Sequence, residues 1–251
     1  MTMPIPASPD VPCCKPQTPA FPRLNSRGQY ECPECGGTGF VEIDSRNFAY
    51  CSCRPIIEGL ARLRRQGLLA AAQRMTFDAY QADAPWQRTL LERVKEFAAL
   101  DSPAWLFIGG QSGCGKTHLC TAAVTQRLLA GSDLRYMRWM NETSALKSLS
   151  LDPERGRLMR EFISAPLLYI DDLFKLHPSP ADVRLAFEIL SSRCDDPTKI
   201  TVISSERTLP EITQIDEAVG GRIYERCTAR YQLNIARDPA RNYRFRAAEE
   251  I

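Results

Sequence analysis

The run Trp105-Leu-Phe-Ile-Gly-Gly-Gln-Ser-Gly-Cys-Gly-Lys-Thr-His118 constrains the folding of this 251-residue chain more than any other segment. An apolar stretch of strand character leads into G-x-x-x-x-G-K-T at Gly110 to Thr117, and a helical pattern follows at once. Glycines let the backbone close tightly, so that successive N–H groups turn inward toward an anion, and the following helix presents its positive end to the same point. Lys116 adds a point charge for phosphates, and the Thr117 hydroxyl is placed for Mg²⁺. The expected nucleotide-contacting set is Gly110, Gln111, Ser112, Gly113, Cys114, Gly115, Lys116, Thr117 and His118.

Such a unit needs a parallel sheet around it, and the rest of the chain alternates accordingly. Helical patterns cover Pro85 to Leu100, Thr117 to Ala130 and Ala181 to Arg193. Strand-like runs cover Trp105 to Ile108, Leu134 to Met140, Leu167 to Ile170 and Ile200 to Ser204. This predicts an α/β fold with helices on both faces of the sheet. The run Leu167-Leu-Tyr-Ile-Asp-Asp-Leu173 predicts a buried strand that delivers carboxylates to the sheet's C-terminal edge, where ligands bind in open α/β sheets. Asp171 is expected to orient Mg²⁺, and Asp172 to polarise the attacking water. Aspartate is one methylene shorter than the glutamate many such ATPases carry there, so slow hydrolysis is expected.

These motifs are similar to those of the initiator and helicase-loader branch of the AAA+ ATPases. Gly113-Cys-Gly-Lys-Thr-His-Leu119, the Asp171-Asp172 pair, Thr201-Val-Ile-Ser-Ser-Glu206 and Gly221-Arg-Ile-Tyr-Glu-Arg226 carry the resemblance, over about residues 75–246. The closest types are DnaC/DnaI bacterial and phage helicase loaders and IstB transposition helpers. The resemblance implies a P-loop AAA+ core using ATP and Mg²⁺. It places the first sensor at Ser205 or Glu206, where the family usually has Asn or Asp. It also makes Arg226 the arginine that reaches a neighbouring subunit's ATP, which implies self-association through the ATP site. Only 25 residues follow Arg226, so the core is expected to lack a full lid, with Arg244 or Arg246 as a late sensor.

Ahead of the core, Cys32-Pro-Glu-Cys35-Gly-Gly-Thr-Gly is followed, with fifteen residues between Cys35 and Cys51, by Cys51-Ser-Cys53. Two close cysteine pairs supply four thiolates to a tetrahedral Zn²⁺, and so short a segment needs that staple. A small N-terminal zinc domain also resembles that of DnaI-type loaders, where it helps bind the helicase. Residues 1–28 hold seven prolines and read as a disordered tail. The expected organisation is therefore a tail (1–28), a zinc-binding module (29–55), a basic helical linker (56–75) that Gly67 interrupts, and an AAA+ ATPase domain (76–251).

Lys+Arg 32 against Asp+Glu 30 identifies no partner, but the arginines cluster. Five lie between Arg54 and Arg74, and seven between Arg222 and Arg246, where Tyr224, Tyr231, Tyr243 and Phe245 are interleaved. That pattern suits either single-stranded DNA without base specificity or a subunit-facing surface. His118 and His177 have no metal partner nearby in sequence, and Cys114, Cys120, Cys194 and Cys227 read as buried thiols. No secretion signal or membrane-length apolar run is seen, so a cytoplasmic location is expected. The resemblance implies loading of a replicative DNA helicase hexamer onto single-stranded DNA. The alternatives are a transposition helper that binds a transposase and duplex DNA, and a nucleotide-binding scaffold whose hydrolysis is incidental.

Overall fold

The computed structural model describes residues 21–149 and 152–243. Residues 1–20, with Cys13 and Cys14, lie outside that range, as do Arg244, Phe245 and Arg246. Within the remainder of the stretch read as a tail, Leu24 forms a β-bridge with Tyr30.

A small hairpin, β1 (Phe40–Asp44) and β2 (Asn47–Tyr50), is antiparallel with a register shift near its turn. Next come α1 (Arg54–Arg65) and α2 (Leu69–Arg74), with Gly67 between them at φ +67°, a left-handed value that ends a helix. Residues 56–75 thus fold as two short helices, and Leu60 and Leu63 of α1 join the core beside α4. There follow α3 (Pro85–Ala98), β3 (Trp105–Gly110), α4 (Lys116–Leu129), β4 (Leu134–Arg138), α5 (Trp139–Ser148), α6 (Pro153–Ser164) and β5 (Leu167–Asp171). The described chain continues through α7 (Pro180–Cys194), β6 (Ile200–Ser205), α8 (Leu209–Ile215), α9 (Glu217–Arg226) and β7 (Gln232–Ile235).

The five later strands form one parallel sheet in the order β4-β5-β6-β3-β7. β3 and β5 are buried along their whole length, as central strands of a two-faced sheet must be. Their side chains alternate between two cores. Leu106, Ile108, Leu167, Tyr169 and Val202 face α1 to α4, whereas Trp105, Phe107, Leu168, Ile170 and Ile203 face α5 to α9. The result is the expected α/β fold, a P-loop AAA+ core with a cysteine cluster at its N-terminal side; no helical bundle follows β7 among the described residues. The strand expected over Leu134 to Met140 stops at Arg138, because Trp139 starts α5 and buries its ring edge-on against Phe174. No helix among the described residues is long and apolar enough to cross a membrane.

Arg193, fully buried on α7, fastens the second core. Its guanidinium donates to the carbonyls of Phe162, Ile163 and Ala165 at the end of α6, to the Ile200 carbonyl and to the Thr201 hydroxyl, at 2.7–3.1 Å. The Phe162, Ile163 and Ala165 carbonyls would otherwise be orphaned at a helix C-terminus. Burial lowers the Arg193 pKa to about 10, which leaves the group charged at neutral pH. Arg193→Ala strands several buried acceptors, so we expect it to destabilise the fold by about 3 kcal/mol. Thermal denaturation should show a melting point lower by roughly 6–12 °C.

Candidate nucleotide site and cysteine cluster

β3 ends in Gly110, the chain turns through Gln111 to Gly115, and α4 starts at Lys116. Gly115 caps α4 with φ +87°, and a side chain there would meet the Tyr80 ring at 2.7 Å. The loop is also tied down at its outer side. The Gln111 side chain donates to the Asp238 carbonyl (2.7 Å) and accepts from the Asp238 N–H (2.6 Å), while the Tyr243 N–H donates to the Gly113 carbonyl (2.9 Å). Lys116 is buried, and its ammonium donates to the Gln111 carbonyl at 2.6 Å. The Cys114 thiol donates to the same carbonyl; burial pushes its pKa up, against the pull of the Lys116 charge.

Asp171 sits at the foot of the site, buried at the end of β5. Four hydroxyls donate to it: Tyr136 to Oδ2 (3.0 Å), and Tyr169 (2.9 Å), Ser204 (2.6 Å) and Thr117 (3.2 Å) to Oδ1. A carboxylate so supplied stays buried without a direct ion pair among the described residues. Burial and the negative Asp171 push both tyrosine pKa values up. Asp172 follows with φ +62°, and its N–H donates to the Ser204 hydroxyl at 2.9 Å. Ser204 therefore bridges the two acids. The sequence motifs contain Ser204 and Tyr169 but assign them no role, and Tyr136 lies outside any motif.

An open cleft of about 370 Å³ lies above these groups. Ser112 to His118 and Asp172 line it, joined by Tyr80, Gln87, Lys175, Glu206, Arg241 and Tyr243. The buried Tyr80 hydroxyl has no hydrogen-bond partner among the described residues. The His118 ring bonds the Thr76 carbonyl (2.7 Å) and lies edge-on to Tyr80, which couples α4 to the segment ahead of α3. Of the expected positions, Gly110, Gln111 and Asp171 are not among the residues lining the cleft, and Ser205 and Arg226 are engaged elsewhere. Ser205 is buried with its hydroxyl donating to the Leu173 carbonyl (2.7 Å), so Glu206 is the residue at the cleft wall. Arg226 ends α9, donates to the Pro197 carbonyl (3.2 Å) and lies 5.8 Å from the centre of the Trp105 ring. Trp105 opens β3, so Arg226 stands at the sheet's opposite edge, roughly a 17 Å strand length from Gly110.

The four cysteines meet at the base of the hairpin. Cys32 and Cys51 sulfurs are 3.7 Å apart, Cys35 and Cys53 sulfurs 3.4 Å, and all four lie within 4.8 Å of one another. A tetrahedral thiolate site with metal–sulfur bonds near 2.3 Å has edges of about 3.8 Å, so the donor set fits a metal ion. Burial raises the Cys35 pKa, but the N–H groups of Gly39 and Gly37 and the neighbouring thiols outweigh it and hold the thiol down to about 6. Cys53 caps the start of α1, whose Ile57 packs against the cluster. The hairpin's outer residues Phe40, Phe48 and Tyr50 are exposed, with the Arg54 guanidinium stacked over the Tyr50 ring.

The fold and loop define a P-loop ATPase of the AAA+ class. The profile of the IstB-like ATP binding proteins matches residues 60–244, and the chain belongs to that family. It is 27% identical over 243 residues to the phage-like element PBSX protein XkdC of Bacillus subtilis, an alignment covering 85% of this chain and 88% of that one. It is 26% identical over 132 residues to an ATP-binding protein in an insertion sequence of Mycobacterium tuberculosis, covering 53% and 52%. Among solved structures, the DnaC helicase loader superposes with a TM-score of 0.58 at 21% identity, covering 67% of this chain and 99% of that one. Gly115→Ala combines a strained φ with a clash on Tyr80, so ATP binding should weaken about tenfold or more, as read by fluorescent-nucleotide titration.

Proposed function

We propose that the protein loads a replicative DNA helicase onto single-stranded DNA in the cytoplasm, using ATP. The observation that carries this reading is the cysteine module joined to an AAA+ core. Its exposed apolar hairpin supplies a surface for a protein partner. Residues 29–55 hold four acids (Glu31, Glu34, Glu42, Asp44) and two arginines (Arg46, Arg54), a balance that favours a protein there over DNA. DNA contact then falls to the arginines of the ATPase domain (76–251), including those from Arg222 onward.

In this reading the loop amides and Lys116 hold the ATP phosphates, with Gly110 and Gln111 shaping the loop. Thr117 and Asp171 hold Mg²⁺, which supplies charge neutralisation to the transferring phosphoryl group. Asp172 polarises the water. Arg226, too far to serve its own cleft, completes the site of a neighbouring copy and so couples turnover to self-association. Cys32, Cys35, Cys51 and Cys53 hold Zn²⁺ and shape the hairpin. Each purified chain should carry one zinc, and Cys35→Ser should lose it, as read by elemental analysis. Lys116→Ala should lose nucleotide binding. Arg226→Ala should keep binding and lose DNA- or partner-stimulated turnover; stimulated turnover equal to that of the wild type would remove Arg226 from this role.

A second reading, a transposition helper that binds a transposase and duplex DNA, is favoured by the insertion-sequence relative. Native mass spectrometry of the chain with its cognate helicase hexamer, ATP and Mg²⁺ separates the two. A defined complex supports loading. Absence of a complex, with filaments forming on duplex DNA, supports transposition.

A further inference from the structure

β5 runs into a segment of unusual backbone. Asp172, Phe174 and Leu176 have φ of +62°, +54° and +63°, and none is glycine. L-residues avoid that region, and they stay in it only where their surroundings impose it. Here the exit of β6 imposes it. The Ser204 carbonyl accepts from the Leu173 N–H (2.8 Å), and the Ser205 hydroxyl donates to the Leu173 carbonyl (2.7 Å). The Arg207 guanidinium donates to the carbonyls of Phe174 (3.3 Å) and Leu176 (2.7 Å).

The constrained segment sets Lys175 over the acid before it. The Lys175 ammonium lies 2.6 Å from Asp172 Oδ2 and 4.0 Å from Glu206 Oε1, and all three residues line the cleft with Lys116 and Thr117. The bond to Asp172 raises the pKa of Lys175 and keeps it cationic. A carboxylate in such a pair has one oxygen engaged and is a weaker base toward water.

We propose that Lys175 is a positioning residue that masks Asp172 in an ion pair, and that Glu206 is the second acceptor to which its ammonium moves when Asp172 is released to the attacking water. The inference rests on the assignment of Asp172 to that water. Its consequence is low turnover in the chain without a partner, set by an ion pair within the cleft rather than by weak ATP binding.

The test measures ATP turnover of the full chain with Mg²⁺, without DNA or partner, in wild type, Lys175→Met, Lys175→Arg, Asp172→Asn and the Lys175→Met/Asp172→Asn double variant. Lys175→Met should raise kcat about fivefold and leave KM unchanged. Lys175→Arg keeps the pair and should stay near wild type, and the double variant should fall to the level of Asp172→Asn. Lys175→Gln carries the same expectation if the methionine variant does not fold. Dimethyl-lysine NMR adds a readout independent of turnover: the Lys175 signal, identified by its loss in Lys175→Arg, should shift in Asp172→Asn. An unchanged or lower kcat in both Lys175→Met and Lys175→Gln overturns the mask. So does a gain that survives in the double variant, or a Lys175 signal unmoved by Asp172→Asn. Full wild-type turnover in Asp172→Asn instead overturns the assignment of Asp172, and the mask with it.

Discussion

A single buried carboxylate organises this molecule. Asp171 makes no direct ion pair among the described residues, and the hydroxyls that satisfy it come from α4, β4, β5 and β6. Leaving a buried charge unsupplied is costly, so those four elements must arrive together. The strand registers achieve it. Tyr136 pairs with Tyr169, and Ile170 with Ile203, which sets Ser204 beside Asp171 on the face that carries α4. A slip of one residue in β4 or β6 would turn the hydroxyl to the opposite face and leave the acid unsupplied. The nucleotide cleft is thus a property of sheet register as much as of the glycine loop.

Two further fastenings hold the modules to this centre. The cysteine cluster starts α1 directly, and α1 lies on α4, the helix that the phosphate loop opens. At the other end, the residues after β7 return across the loop through Gln111 and Gly113. The phosphate loop is therefore held from both flanks, which walls its cleft on more than one side.

Much of this was legible in the chain. The glycine loop, the apolar runs ending in Asp171 and the two cysteine pairs are short-range patterns whose geometry is local: a strand's alternation, a tight turn, a helix start. The structure brings Thr117, Asp171 and the four cysteines together at those places. Less was legible where partners are distant. Tyr136 reads as any aromatic strand residue until β4 pairs with β5. Ser204 and Ser205 are indistinguishable in sequence, and strand parity in the folded sheet turns the first to Asp171 and the second to Leu173. Arg193 reads as one more polar residue on a helix until the end of α6 is packed over it.

The sequence by itself determined the class of the molecule and its chemistry: an ATPase built on a phosphate loop, a following acid strand and a thiol-rich module. It did so because each of those features needs only neighbouring residues to be recognisable. The tertiary structure alone decided which hydroxyls hold Asp171, that Lys175 sits on Asp172 between it and Glu206, and that Arg226 stands at the far edge of the sheet. Those outcomes depend on register and packing between segments distant in sequence, where periodicity carries no information.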